Sequence, residues 1–99
     1  MVRWEPSHPE QLAPLCRRYG VRRLALFGSA LRDDFGPSSD IDLLVEFEPG
    51  TRAGLRLFAL EAELTDLFAR KVDLSTPGFL GAEFRERVRR EARDLYVAP

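Results

Sequence analysis

The sequence predicts a single domain of the α/β (α+β) class, in which a small mixed β-sheet is flanked by helices. One observation is the order α-β-α-β-α-β-α, in which segments with apolar residues at helical spacing alternate with segments of alternating apolar and polar residues. A second is that 99 residues, 44% of them hydrophobic and 31% charged, suffice for one folded core. The third is that no internal repeat or linker divides residues 1–99, which are expected to form one domain.

The first helix is predicted from a start signal at Ser7 and a stop signal at Gly20. Ser7 can cap the helix, with Glu10 three residues later, and Pro14 should bend the helix or delay its start. One face of the helix is apolar and consists of Leu12, Leu15 and Cys16. Gly20 then ends the helix, and the run Val21–Phe27 is predicted to be the first strand.

A second strand is predicted to begin near Asp40, after a short helical turn from Ser29 to about Asp34 and a loop over residues 35–39. Its side chains alternate between two faces of the sheet. One face is expected to be core and carries Ile41, Leu43, Val45 and Phe47. The other face starts with two carboxylates and carries Asp40, Asp42, Leu44 and Glu46. Glu46 lies farther along the strand, so it should be peripheral to any site at the two aspartates.

The second half of the chain is predicted to contain a long helix, a third strand and a last helix. Apolar residues recur at helical spacing at Leu57, Leu60, Leu64, Leu67 and Phe68. In the third strand, residues 71–75, Val72 and Leu74 share one face and Asp73 takes the opposite one. The last helix has an apolar stripe of Leu80, Phe84, Val88 and Ala92, and residues 95–97 are a candidate terminal strand.

Composition restricts the classes of function. Fifteen basic and sixteen acidic residues give a formal net charge of −1, which provides no overall positive field for binding nucleic acid. The sequence has no apolar run of membrane-spanning length and no apolar stretch typical of a secretory signal, so a cytoplasmic location is expected. Cys16 and His8 are the only cysteine and histidine, which excludes an internal disulfide and a His/Cys zinc cage. A bound metal must therefore take oxygen ligands.

Asp40 and Asp42 form the first candidate catalytic pair. Two residues apart on a strand, they project from the same face with Cα atoms roughly 6.5 Å apart. Their carboxylates can bind adjacent cations, and two ions about 3.5–4 Å apart serve phosphoryl and nucleotidyl transfer. Mg²⁺, or Mn²⁺ in its place, favours such oxygen ligands. An Asp-x-Asp pair on the polar side of a half-exposed strand is also common without any metal role.

Three further residues and Asp73 favour the functional interpretation of this pair. At Gly28 and Ser29 the first strand turns into a helix, where a glycine lets backbone approach a ligand and helix-terminal amides and a hydroxyl suit a phosphate. Arg32 lies three residues later, so its guanidinium can reach the same phosphate, although a surface ion pair is the alternative. Asp73 falls on the carboxylate face by alternation, and a neighbouring third strand would bring it beside the pair. Its alternative is a solvent-facing strand residue without a role.

The spacing of these residues resembles a known signature. The chain resembles the DNA polymerase β-like nucleotidyltransferase superfamily in the order and spacing of one pattern. The pattern consists of an apolar residue, Gly28-Ser29, ten further residues and Asp40-Ile41-Asp42-Leu43. With residues 28–32, 39–45 and 71–74, the chain resembles the smallest branch of that superfamily, the prokaryotic minimal nucleotidyltransferases. The resemblance implies that fold, with Gly28 and Ser29 holding the terminal phosphates of the nucleotide. It also implies that Asp40 and Asp42 ligate two metal ions and that Asp73 is the third carboxylate.

The same resemblance implies a reaction and a partner. The reaction is adenylyl transfer from ATP with pyrophosphate leaving, assisted by two Mg²⁺ ions. Minimal members commonly act as the antitoxin beside a helical HEPN-domain ribonuclease, so a hetero-oligomer is expected and the acceptor is a hydroxyl of the partner, that of a tyrosine. Two alternatives stay open: a binding module that neutralises a helical partner by contact alone, and an enzyme that modifies a small molecule. The short chain leaves little room for the acceptor-binding domain that the second alternative needs.

Overall fold

The computed structural model describes residues 6–28, 36, 38–77 and 81–99, without the side chains of residues 84 and 85. These ranges contain, in order, α1 (Pro9–Tyr19), β1 (Val21–Phe27), β2 (Ile41–Phe47), α2 (Gly54–Phe68), β3 (Val72–Ser75), α3 (Ala82–Glu91) and β4 (Arg93–Val97). The predicted helical turn at residues 29–34 lies outside them. No helix within the same ranges has the length and apolar content needed to cross a lipid bilayer.

Helix α1 begins at Pro9, with His8 rather than Ser7 at the N-cap position and without a side-chain capping hydrogen bond. The predicted cap at Ser7 was therefore wrong. Proline suits the first helical position, because its φ is preset and its missing N–H has no helical partner there, so Pro9 moves the helix start beyond Ser7. Pro14 is accommodated inside the helix. Gly20 ends α1 as predicted, in the left-handed region at φ +72°, which favours glycine.

The four strands form one mixed sheet in the order β3-β2-β1-β4, which confirms the predicted fold class. β1 is antiparallel to both β2 and β4, whereas β2 and β3 are parallel. The connection between the parallel strands contains α2, since such strands need a long crossover and a helix is its usual form. β4 begins at Arg93, two residues before the candidate strand at 95–97.

The hydrophobic core lies on one face of the sheet and is covered by α1 and α2. Its buried members are Leu12, Leu15, Cys16, Val21, Leu24, Leu26, Ile41, Leu43, Val45, Leu60, Leu64, Phe68, Val72 and Leu74. This confirms the core faces predicted for the first helix, the long helix and the second and third strands. Burial raises the pKa of the Cys16 thiol to about 12, so this cysteine is a core residue and not a nucleophile at neutral pH.

Buried apolar residues also occur on the opposite face of the sheet. Ala25 and Leu44, which are register partners in β1 and β2, are both buried but lie outside the core cluster. Val88, a buried residue of α3, lies outside that cluster as well. The sheet face that carries Asp40 and Asp42 is therefore already buried at the position where Ala25 and Leu44 pair.

Side chains of α2 protect the outer edge of β3. The backbone N–H of Val72 donates to Oγ1 of Thr65 at 3.3 Å, and that of Leu74 donates to Oε2 of Glu61 at 2.8 Å. These two amides point away from β2, because alternate residues of a strand pair with opposite neighbours. Glu61 and Thr65 lie one helical turn apart on α2, so one helix face satisfies both donors.

Replacing Leu64 by alanine is expected to lower the free energy of unfolding by about 2–5 kcal/mol, because the change removes a fully buried side chain. Leu55→Ala on the same helix is the matched control. The Leu55 side chain is 86% exposed, so its loss should change stability by less than about 0.5 kcal/mol. Urea unfolding followed by circular dichroism measures both variants, and equal losses would contradict the assignment of the buried face of α2.

Candidate active site

Asp42 and Asp73 are register partners in the parallel pair of β2 and β3. Their sequence neighbours Leu43 and Leu74 belong to the core, so both carboxylates project from the opposite face of the sheet. Hydrogen-bonded strands lie about 4.8 Å apart, which places these two side chains beside each other. Two aspartates separated in sequence by the whole of α2 thus form one acidic pair.

Asp40 directly precedes β2 and shares the alternation of Asp42. Its Oδ2 atom lies 3.8 Å from Nζ of Lys71. The backbone N–H of Ile41 also donates to the carbonyl of Lys71 at 2.9 Å, so the start of β2 is held against the start of β3. The Lys71 side chain is 77% exposed, and an ion pair at such a position contributes at most about 1 kcal/mol. The lysine amine can therefore leave Asp40 at little cost.

Gly28 follows β1 in the left-handed region, at φ +77°. It lies against Asp42, because the preceding residue, Phe27, is the register partner of Asp42. A Cβ atom added to Gly28 would lie 3.1 Å from Cγ of Asp42 and closer still to its Oδ2 atom. The sequence predicted that this glycine lets backbone approach a phosphate. The geometry adds a second reason, since the missing side chain leaves room for the Asp42 carboxylate.

The chemistry of the three carboxylates suits a hard divalent cation, which prefers oxygen ligands. In the part of the chain that the structure describes, no three Asp, Glu, His or Cys side chains are grouped closely enough to hold a metal ion. The three carboxylates thus suit a cation by their chemistry and not by their present grouping.

The remaining residues that the sequence singled out are two predicted phosphate contacts and Glu46, which was expected to be peripheral. Ser29 and Arg32, predicted to contact phosphate, lie outside the residues that the structure describes. Glu46 accepts a hydrogen bond from Arg23 at 3.4 Å, and the same guanidinium donates to Asp94 at 2.6 Å. Partial burial lowers the pKa of Arg23, but these two acidic partners outweigh that effect and raise it. Glu46 therefore belongs to a network that joins three strands.

Sequence reasoning missed Arg70, which lies between α2 and β3 and is partly buried. Its Nη2 atom donates to the carbonyl oxygen of Ser39 at 2.7 Å and to that of Gly36. Ser39 immediately precedes Asp40, so the guanidinium holds the backbone that leads into the carboxylate pair. The only signal in the sequence is an arginine next to the third strand, and spacing along the chain does not reveal its partners.

A family model described as nucleotidyltransferase domain matches residues 9–96. Protein adenylyltransferase MntA of Thermococcus cleftensis is 36% identical over 92% of this chain and 86% of its own length. A Methanocaldococcus jannaschii protein, also named as a protein adenylyltransferase, is 34% identical over 86% of this chain and 90% of its own length.

Solved structures share the fold. One named as a minimal nucleotidyltransferase is 38% identical, covers 85% of each chain and gives a TM-score of 0.72. A toxin–antitoxin complex with AMP-PNP gives a TM-score of 0.72 at 20% identity, and the match covers 92% of this chain and 74% of the chain in the complex. A complex of tri-AMPylated Shewanella oneidensis HEPN toxin with MNT antitoxin gives a TM-score of 0.64 at 21% identity. This match covers 91% of the present chain and 70% of the matched chain. At these lower identities the two complexes establish likeness of fold alone.

Gly28→Ala is expected to lower the free energy of unfolding by about 2–5 kcal/mol, the sum of left-handed backbone strain and a forced contact with Asp42. Gly50→Ala is the matched control. Gly50 has φ +86°, but no atom lies within 4 Å of an added Cβ, so only the strain of about 1–2 kcal/mol applies. Chemical denaturation measures both variants, and equal losses would show that the Asp42 carboxylate does not lie against Gly28.

Proposed function

This chain belongs to the nucleotidyltransferase domain family, and from this premise we propose that it transfers AMP from ATP to a tyrosine hydroxyl of a HEPN-type partner protein. In this role it acts as the antitoxin of a toxin–antitoxin pair. The chain is accordingly an enzyme of the nucleotidyltransferase type. The donor, the acceptor, the metal and the residue roles are the proposal.

The observation that carries the proposal is the register of Asp42 with Asp73, with Asp40 at the start of the same strand. Nucleotidyl transfer needs negative oxygen ligands at one place, because the reacting phosphate must be held by divalent ions. Asp73 is exposed and the Asp40 side chain is 45% exposed, so this face is accessible to a nucleotide and an acceptor. Gly28 adds a backbone segment next to Asp42 that carries no side chain.

In the proposed reaction, the acceptor oxygen forms a bond to the α-phosphorus of ATP. The bond between that phosphorus and the bridging oxygen breaks, and pyrophosphate leaves. The acceptor hydroxyl must lose its proton as the new bond forms. Asp73 is proposed to accept this proton, because its exposed side chain at the edge of the sheet is accessible to a group that arrives from solvent.

The proposed cofactor is a pair of Mg²⁺ ions, for which Mn²⁺ can substitute. Asp40, Asp42 and Asp73 are the residues that would hold them, and the bound ions would offset the negative charge of the triphosphate. Gly28, Ser29 and Arg32 are proposed to contact the phosphates through backbone amides, a hydroxyl and a guanidinium.

The names of similar proteins support the choice of donor and acceptor. The two relatives described above are named as protein adenylyltransferases, and each covers most of this chain. Among the proteins of like fold, one complex holds AMP-PNP, an ATP analogue, and another contains a tri-AMPylated HEPN toxin. A tyrosine is proposed as the acceptor because its hydroxyl stands at the end of a rigid ring and can reach the carboxylate face from a docked protein.

Asp42→Asn is expected to abolish AMP transfer to the partner while the complex still forms. The change removes a ligand charge from a partly exposed position and opens no core cavity. The intact mass of the partner, measured after incubation with ATP and Mg²⁺, reports the transfer. Asp66→Asn is the matched control, since Asp66 is exposed on α2, and it should transfer at the wild-type rate.

Wild-type transfer by Asp42→Asn would contradict the assigned site. If a chain with Asp40, Asp42 and Asp73 all replaced by Asn still neutralises the partner, and the wild type never adds AMP, the chain acts by contact alone. Replacement of the acceptor tyrosine by phenylalanine should remove the mass increase and leave the complex intact. Transfer to small molecules but not to a bound HEPN protein would favour the small-molecule enzyme.

Asp73→Asn is expected to leave the metal-free Tm level or to raise it, because register partners of like charge repel each other. Differential scanning calorimetry in EDTA measures this effect. Addition of Mg²⁺ and ATP should raise the Tm of the wild type more than that of Asp73→Asn. A clear loss of metal-free stability in this variant would show that Asp73 has a structural partner and is not held for function.

A further inference from the structure

We propose that Arg70 is a positioning residue for nucleotidyl transfer, which fixes the backbone before Asp40 relative to the strand that carries Asp73. This inference rests on the proposed function, because it assigns Arg70 a part in the same reaction. Arg70 itself acts through the loop and touches neither substrate nor metal in the proposed reaction.

The loop that Arg70 contacts is a closed turn. The backbone N–H of Ser39 donates to the carbonyl of Gly36 at 3.1 Å, and the backbone N–H of Gly36 donates to Oγ of Ser39 at 3.0 Å. Arg70 adds bonds from one guanidinium nitrogen to both carbonyl oxygens, those of Gly36 and Ser39. Hydrogen bonds from a charged donor are about twice as strong as neutral ones, so the guanidinium holds these two carbonyl groups more firmly than a neutral donor would.

The backbone next to Arg70 links the turn to β3. Ala69 ends α2 in the left-handed region, at φ 54°, a conformation that alanine rarely adopts. The chain therefore leaves the helix sharply, and the next two residues both contact the start of β2. Arg70 binds the Ser39 carbonyl, whereas the carbonyl of Lys71 accepts the N–H of Ile41. These two bonds flank Asp40.

The backbone on either side of Asp40 is consequently hydrogen-bonded to Arg70 and Lys71, the two residues that directly precede β3. Asp73 is three residues beyond Arg70 on that same segment, so one rigid connection sets the distance between the two aspartates. Because reacting groups must be held within a fraction of an ångström, a displacement of about 1 Å can lower the rate on the order of 100-fold. Lysine is expected to substitute only in part, since its ammonium is a compact, strongly hydrated charge on a flexible four-carbon stem.

The test compares Arg70→Met and Arg70→Lys with Arg56→Met and Arg56→Lys. Arg56 is a matched control, because it is an exposed arginine at the other end of α2 whose Nη1 atom also donates to a backbone carbonyl, that of Tyr19, at 3.1 Å. Arg70→Met should lower kcat for AMP transfer by roughly 10–100-fold, leave KM for the partner protein within about twofold and retain the complex. The kcat of Arg70→Lys should lie between those of Arg70→Met and the wild type, and both Arg56 variants should have the wild-type kcat.

Hydrogen exchange supplies a readout that does not depend on activity. Arg70→Met should accelerate exchange at the amides of Ser39 and Ile41, which are bonded within or beside the turn, and leave that of Leu24 at the sheet centre unchanged. Unchanged exchange at Ser39 and Ile41 would overturn the proposal, as would accelerated exchange together with wild-type kcat. A wild-type chain that never transfers AMP would contradict the proposed function instead, and the exchange rates would then still decide whether Arg70 holds the loop.

Discussion

The parallel pairing of β2 with β3 is the interaction on which the acidic site depends. It brings Asp42 and Asp73 together although α2 separates them in sequence. A slip of one residue would turn Asp73 toward the core and Val72 or Leu74 toward solvent, because side chains alternate with a period of two. Burial of Val72 and Leu74 therefore fixes the register, and the hydrophobic core sets the geometry of the polar face.

The segments around this pair are arranged to leave the carboxylates accessible. At Gly28 the chain carries no side chain where Asp42 needs room, and at Lys71 the amine near Asp40 belongs to an exposed ion pair. By contrast, Arg70 binds the backbone carbonyls of Gly36 and Ser39. The fold thus fixes the backbone that leads into the site. Such sites commonly lower stability in return for function.

The sequence predicted much of this arrangement, and what it missed has a common physical cause. Periodicity reports which face of an element a residue occupies, so the core faces and the common face of Asp42 and Asp73 followed from alternation alone. Periodicity does not identify partners across the fold. The bonds from Arg70 to the turn before Asp40, and the contact of Gly28 with Asp42, join segments far apart in sequence.

One local prediction failed because a neighbouring residue decided the outcome. Ser7 has the chemistry of a helix cap, but Pro9 sets the helix start and leaves Ser7 one position too early. Alternation correctly placed Leu44 on the face that begins with carboxylates, but it did not reveal that Leu44 is buried there beside Ala25. Alternation gives the direction of a side chain, whereas its burial depends on what the rest of the chain packs above it.

The use of Thr65 and Glu61 to bind the outer amides of β3 has a consequence for self-association. An exposed strand edge is a template on which another chain can add a strand, and such addition leads to aggregation. A strand added beside β3 would have to displace the side chains of Thr65 and Glu61 before it paired with the outer amides of β3. The opposite edge of the sheet is β4. A strand added there would be separated from Asp73 by β4, β1 and β2, so association through the sheet leaves the acidic face uncovered.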